Sequence, residues 1–203
     1  MANFNNVDTF AELQQALLDS KNNGQADTIN ITGDITLSGL LPLIEEESAL
    51  TITGAGSNFT INGDNAHRLF FVKSGTVNFS NLVFAEGLAR GGDGNSGGAG
   101  MGGALFIYDG TVSVSNSAFI DNQAIGGDGG RYINGAGGGG LGGDGANSAY
   151  NGSNAGGGGG GGGFAGDGNK GLDANNGGSG GSFFDSSSAA GNFGQGGNGG
   201  GGT

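Results

Sequence analysis

Residues 69–94 read LFFVKSGTVNFSNLVFAEGLARGGDG, and residues 104–129 read ALFIYDGTVSVSNSAFIDNQAIGGDG. Laid over one another at an offset of 35 residues (104 − 69), they meet identical residues at Phe71, Gly75, Thr76, Val77, Ser80, Asn81, Phe84, Ala89 and the run Gly91-Gly92-Asp93-Gly94. Each copy holds three short segments in which apolar and polar residues alternate, followed by a glycine loop. Alternation with period two marks a strand with one buried face. A lone copy cannot bury that face, so neighbouring copies must stack. A sandwich also uses short strands and turns, but its strands have no reason to repeat their turns. The pair therefore predicts an all-β chain built as a β-solenoid.

The same pattern extends upstream. Strands are expected at 28–31, 34–37, 49–53, 58–61, 69–72, 76–79 and 82–84, then at 104–107, 111–114 and 118–120, separated by Gly, Asn or Asp turns. Stacking predicts like over like. Leu50 and Ile52 lie beside Val77 and Phe79, Phe59 and Ile61 beside Leu82 and Phe84, Phe70 and Val72 beside Leu105 and Ile107. Asn81 and Asn116 then share a buried corner, where their amides bond to one another and to the turn. Ahead of the strands, the first expected element is a helix capped by Thr9, with Glu12 completing a capping box. Phe10, Leu13 and Leu17 form its apolar face, Lys21 suits its last turn, and Asn22-Asn23-Gly24 supplies a left-handed stop. Such a helix is expected to cover the open end of the solenoid core.

Glycine accounts for 53 of the 203 residues, and apolar residues thin out after Ile125. The sequence divides into a cap at 1–25, β-coils at 26–129 with a glycine loop at 91–103, and a glycine-rich extension at 130–203. Two glycine stretches, 91–103 and the one beginning at Gly126, leave the coil after equivalent strands. They are expected to emerge on one side, about 4.8 Å apart. The extension, including the run 156–163, is either a polyglycine-II-like bundle packed backbone to backbone or a disordered coil. Phe164, Phe183, Phe184 and Phe193 would anchor it, and residues 181–185 look like a degenerate copy of the strand at 103–107.

Eighteen acidic against six basic residues give a formal charge of −12, which repels phosphate backbones and anionic lipid. Nucleic acid is excluded as a partner, and no run is long and apolar enough for membrane insertion. There is no cysteine, hence no disulfide or thiolate metal site. The start, MANFNNVDTF, has no basic and apolar leader regions. The reading is an export signal lying elsewhere, or a segment of a longer chain.

Gly102-Gly103-Ala104-Leu105 resembles the GGA(I/L/V) element of polymorphic outer membrane protein repeats, and Phe119-Ile120-Asp121-Asn122 resembles their FxxN element, in the family's order. Residues 8–129 as a whole resemble the opening coils of large bacterial surface and secreted proteins. One departure stands out: the first copy has Phe84-Ala85-Glu86-Gly87, with glycine where FxxN has asparagine. The resemblance implies a right-handed parallel β-helix. It also implies an extracellular or cell-surface passenger or stalk used in adhesion, with host or neighbouring-cell surface glycans, or further copies of itself, as partners.

Right-handed β-helices also carry polysaccharide lyases, epimerases and glycosidases, so catalysis must be weighed. The basic residues Lys21, Lys73, Lys170, Arg68, Arg90 and Arg131 are scattered, and the one imidazole, His67, sits in a turn. Asp109 and Asp121 correspond to Ser74 and Glu86 in the first copy, and Glu45-Glu46-Glu47 reads as solvent-facing charge in a loop. No catalytic residues are expected. The best metal candidates are Asp93, Asp128, Asp144 and Asp167, each in a Gly-Asp-Gly context suited to weak calcium binding. A calcium-roll nonapeptide would place aspartate where Ser96, Arg131 and Asn147 stand. A self-assembling fibre subunit with weak calcium binding is the alternative, and a lyase-like carbohydrate enzyme a third.

Overall fold

The structure, a computed structural model, describes residues 2–21, 23–130, 137–147, 162–163, 166–170, 178–179 and 181. Strands in parallel sheets dominate it, with one short helix. In chain order the elements are β1 (Asn3–Val7), α1 (Phe10–Ser20), β2 (Asp27–Ile31), β3 (Ile35–Thr36), β4 (Ile44–Gly54), β5 (Phe59–Asn62), β6 (Phe70–Ser80), β7 (Leu82–Ala85), β8 (Leu88–Arg90), β9 (Leu105–Ile107), β10 (Thr111–Ser115), β11 (Ala118–Ile120) and β12 (Gln123–Ile125). The chain forms two compact units, one of residues 1–88 and 102–123, the other of 89–101 and 124–203.

The first unit contains a six-stranded sheet, β1-β2-β4-β6-β10 with β9 also paired to β6, and a four-stranded sheet, β11-β7-β5-β3. All these pairings are parallel, and β4 to β7 and β9 to β11 follow the expected register. Leu50 and Ile52 pair with Val77 and Phe79, which pair with Val112 and Val114. Phe59 and Ile61 pair with Leu82 and Phe84, and Phe70 and Val72 with Leu105 and Ile107. Apolar columns thus run through the sheets and close into one core with Phe70, Phe79 and Phe84 at its centre. Their rings meet tilted or edge-on, at centroid separations of 5.1, 5.5 and 6.1 Å, the geometry the ring quadrupole favours.

At the β1 end of this sheet lies α1, in contact with β1, β2 and β4. Its capping box forms as expected: the Glu12 amide donates to Thr9 Oγ1 (3.3 Å) and the Thr9 amide to Glu12 Oε2 (3.2 Å). Leu13, Ala16 and Leu17 are buried in the common core. The stop differs from expectation. Lys21 is the C-cap rather than a last-turn residue, and the Asn23 side chain donates to the Asp19 carbonyl (3.2 Å). Gly24 does take the left-handed conformation (φ +75°), while Asn22 lies outside the described residues.

Three expectations are corrected. The first element is a strand, β1, which pairs with β2 although only Phe4 and Val7 of its five residues are apolar. The segments at 69–72 and 76–79 form one strand, β6, because Gly75 at φ +105° lets the chain turn without leaving the sheet. The run Glu45-Glu46-Glu47 lies in β4, not in a loop. Glu46 is only 8% exposed and accepts the Ser20 hydroxyl (3.0 Å), while Glu45 sits between Lys73 (2.6 Å) and Lys21 (3.3 Å). Glu45 pairs with Ser74 of β6, and Lys73 of that strand and Lys21 hold its carboxylate in the sheet.

The second unit is built differently. Apart from β8 and β12, which pair with each other, its described residues form no helix or strand. Ala89 is the sole buried hydrophobic side chain among them. Cohesion comes from main-chain hydrogen bonds between separate glycine segments: Gly92 to Gly140 (2.9 Å), Gly127 to Gly98 (2.9 Å), Gly143 to Gly163 (3.0 Å) and Gly162 to Gly138 (2.9 Å), donor first. A methyl group on Gly92 would overlap the Gly143 carbonyl oxygen, so only glycine permits this approach. Phe164, Phe183, Phe184, Phe193, Arg131 and most of the runs 156–163 and 181–185 lie outside the described residues.

Candidate functional site

The four aspartates singled out by their Gly-Asp-Gly context come together in the second unit as a ladder. The Asp128 amide donates to Asp93 Oδ1, the Asp93 amide to Asp144 Oδ1, and the Asp144 amide to Asp167 Oδ1, each at 2.7 Å. Residues 35 and 51 positions apart are thereby joined by one recurring bond. Such short bonds from N–H to carboxylate are charge-assisted and stronger than neutral ones. Arg90 lies across the ladder, 3.1 Å from Asp93 Oδ1 and 3.5 Å from Asp128 Oδ2. The Asp93 side chain is 3% exposed and that of Asp128 is 72% exposed, and Asp167 at the other end is exposed as well, so the ladder has a buried rung between two wet ends. Among the described residues, no group of three or more His, Cys, Asp or Glu side chains is arranged to hold a metal ion. One carboxylate oxygen each of Asp93, Asp144 and Asp167 is directed at a backbone amide, and Asp128 faces Arg90.

In the first unit the repeated residues sit at corners. Asn81 and Asn116 take left-handed conformations (φ +55° and +46°), and the Asn116 amide group donates to Asn81 Oδ1 at 2.6 Å. The expected ladder is present, but Asn116 is exposed rather than buried, because its strand neighbour β10 is an edge of the sheet. Glu86 and Asp121, also 35 residues apart, both have φ +51°. Their recurrence thus marks a left-handed corner. The Glu86 carboxylate accepts from Asn62 (3.2 Å) and Asn65 (3.4 Å).

The departure from FxxN has a physical cause. Asn122 reaches back one repeat: its Oδ1 accepts the Gly87 amide and its Nδ2 donates to the Phe84 carbonyl, both at 2.8 Å. A Cβ on Gly87 would stand 2.7 Å from Asn122 Oδ1 and 2.5 Å from the Gly103 carbonyl oxygen. Asparagine in the second copy therefore goes with glycine in the first. Sequence reading missed this clamp, although the paired substitution Gly87 and Asn122 was its visible trace.

Arg68 is buried in the first unit, its Nε donates to the Gly102 carbonyl (3.1 Å), and its guanidinium lies 5.8 Å from the Phe106 ring centre. Burial pulls its pKa down to about 10, which leaves it cationic at neutral pH. His67 is half-buried in the turn before it, and its carbonyl accepts the Leu88 amide (3.0 Å). No helix among the described residues is long and apolar enough to cross a membrane. No protein-family model, curated protein or solved structure matches this chain.

Proposed function

We propose that the chain is a structural or adhesive element working outside the cell or at its surface. In this reading the first unit is a right-handed parallel β-helix and the glycine segments form a polyglycine-II-like bundle. The observation that carries it is the like-on-like register of β6, β7 and β9 to β11 at a constant 35-residue offset. Coils stacked in this way make a stalk whose surface is a repeated side-chain array. The side chains a catalyst would need are engaged in support: Glu86 at a corner, Arg68 on a backbone carbonyl, Asp93 on an amide. Host or neighbouring-cell glycans are the proposed ligands, with calcium held weakly at the exposed carboxylates of the aspartate ladder.

The test is retention of the purified chain on glycan-bearing cells. Deleting residues 95–129, one full period, is expected to abolish retention, while Arg68→Gln and Asp121→Asn leave it within about twofold. Absorbance from unsaturated uronate should stay flat on acidic polysaccharide. A rise in that absorbance, lost in either point variant, would overturn the reading in favour of a lyase.

A further inference from the structure

The pair Asn-Gly occurs twice among the described residues, at Asn23-Gly24 and Asn62-Gly63. Asparagine before glycine is prone to a reaction with its own backbone. The glycine amide nitrogen attacks the side-chain carbonyl carbon, and the absence of a Cβ leaves the approach open. A folded chain permits this only where that nitrogen is free of a hydrogen bond and the peptide has room to turn.

The two pairs differ on both counts. The Gly63 amide donates to the Ala85 carbonyl (2.9 Å), and Gly63 is buried. A Cβ there would stand 2.5 Å from the His67 carbonyl oxygen and 2.7 Å from that of Glu86, so main chain encloses the peptide. Gly24 lies past the C-cap of α1 and is exposed. Its amide donates to no group among the described residues, and a Cβ on it would meet nothing within 4 Å. Meanwhile Asn23 Oδ1 accepts the Gln25 amide (2.8 Å). That bond folds the side chain back over its own peptide and polarises the carbon under attack.

The Asn23 amide also holds structure together. Its Nδ2 donates to Asp27 Oδ2 (2.5 Å) and to the Asp19 carbonyl (3.2 Å). Asp27 is 3% exposed, and its Oδ1 accepts the Ala2 amide just before β1 (2.8 Å). A neutral amide thus tethers the turn between α1 and β2 to a buried carboxylate that also holds the start of β1.

We propose that Asn23 is a site of self-deamidation, and that its conversion loosens the β1 end of the first unit. The Gly24 nitrogen bonds to Asn23 Cγ, the Cγ–Nδ2 bond breaks, and ammonia leaves with the proton that Gly24 gives up. Water then opens the succinimide ring at one carbonyl to give aspartate, or at the other to give isoaspartate. Either product puts a carboxylate beside Asp27 where a donor stood, so a hydrogen bond to a buried group becomes a like-charge contact.

Peptide mass mapping of the full chain, held folded in mildly alkaline buffer, tests this. Asn23 should convert at least about tenfold faster than Asn62, because reaction at Gly63 must wait for local opening. In guanidinium chloride the two should convert at similar rates, which assigns the difference to the fold. Asn23 that survives in the folded chain as long as Asn62 overturns the inference, and so does a rate ratio that unfolding leaves unchanged. Asn23→Asp supplies one product directly, whereas Asn23→Ala removes the donor without adding charge. The Thr28 amide donates to the Ala2 carbonyl (3.0 Å). Its hydrogen exchange should be faster in Asn23→Asp than in Asn23→Ala, with the β6 amides unchanged. Exchange at Thr28 no faster in Asn23→Asp than in Asn23→Ala overturns the loosening.

Discussion

Asparagine and aspartate do the side-chain work that matters most here, and each does it by satisfying backbone. Asn122 holds an amide and a carbonyl of the preceding repeat. Asn122→Ala would leave both without their partner, at a cost of about 1–3 kcal/mol, readable as a lower midpoint in urea. Asn122→Asp keeps the acceptor and loses the donor, so it should fall between the two. In the glycine-rich unit, Asp93→Ala removes the acceptor of the Asp128 amide and the nearer of the two carboxylates facing Arg90. Hydrogen exchange at the Asp128 amide should then speed up by about tenfold or more, with exchange in β4 and β6 unchanged. If calcium slows exchange of the parent at that amide, the ladder is a cation site and its structural account fails. The Gly-Asp-Gly pattern made these four aspartates legible as a set. Which group each carboxylate meets was not legible, since that depends on glycine segments tens of residues away lying alongside.

At the scale of elements, α1 was readable almost to the residue because a capping box and a 3.6-residue apolar period are local signals. Thr9→Ala should cost about 1 kcal/mol, measured by thermal melting of the first unit. The strand β1 gave no such signal: its sequence, NFNNV, is mostly asparagine, and its pairing with β2 alone makes it a strand. Likewise Glu45-Glu46-Glu47 reads as loop until Lys21, Lys73 and Ser20 are seen around it. The hydrogen bond and charge of Lys73, and then those of Lys21, make Glu45 more acidic than an ordinary glutamate. A carboxylate more acidic folded than unfolded stabilises fully above its unfolded pKa. That stabilisation fades as pH falls through the lower, folded value. Acid should therefore erode the first unit less in Glu45→Gln than in the parent, with the two curves parting at neutral pH and converging below pH about 4. Curves separated by a constant amount down to strongly acidic pH would assign the effect to packing instead of charge.

Across the whole molecule, two units of comparable chain length are held together by different forces. The first buries Phe70, Phe79, Phe84 and the Leu and Ile columns in one core. The described part of the second has Ala89 as its one buried hydrophobic side chain and is joined by main-chain bonds and carboxylates. Burying apolar surface gives unfolding its large positive heat-capacity change, while exposing polar surface lowers it. Calorimetry should therefore resolve two transitions. The one belonging to the first unit should show about 12–15 cal/mol/K per residue, and the other a clearly smaller step. Gly92→Ala, whose added methyl meets the Gly143 carbonyl, should lower or abolish the second transition and leave the first in place. One cooperative transition with an ordinary heat-capacity step, shifted as a whole by Gly92→Ala, would show that the glycine segments fold on an apolar core after all. Composition alone placed the division at 129/130, where apolar residues have thinned out, whereas the compact units divide at 88/89, 101/102 and 123/124. It grouped the loop at 91–103 with the coils, while residues 89–101 fall in the same compact unit as the later glycines, because main-chain bonds carry no residue-type signature beyond the absence of a Cβ.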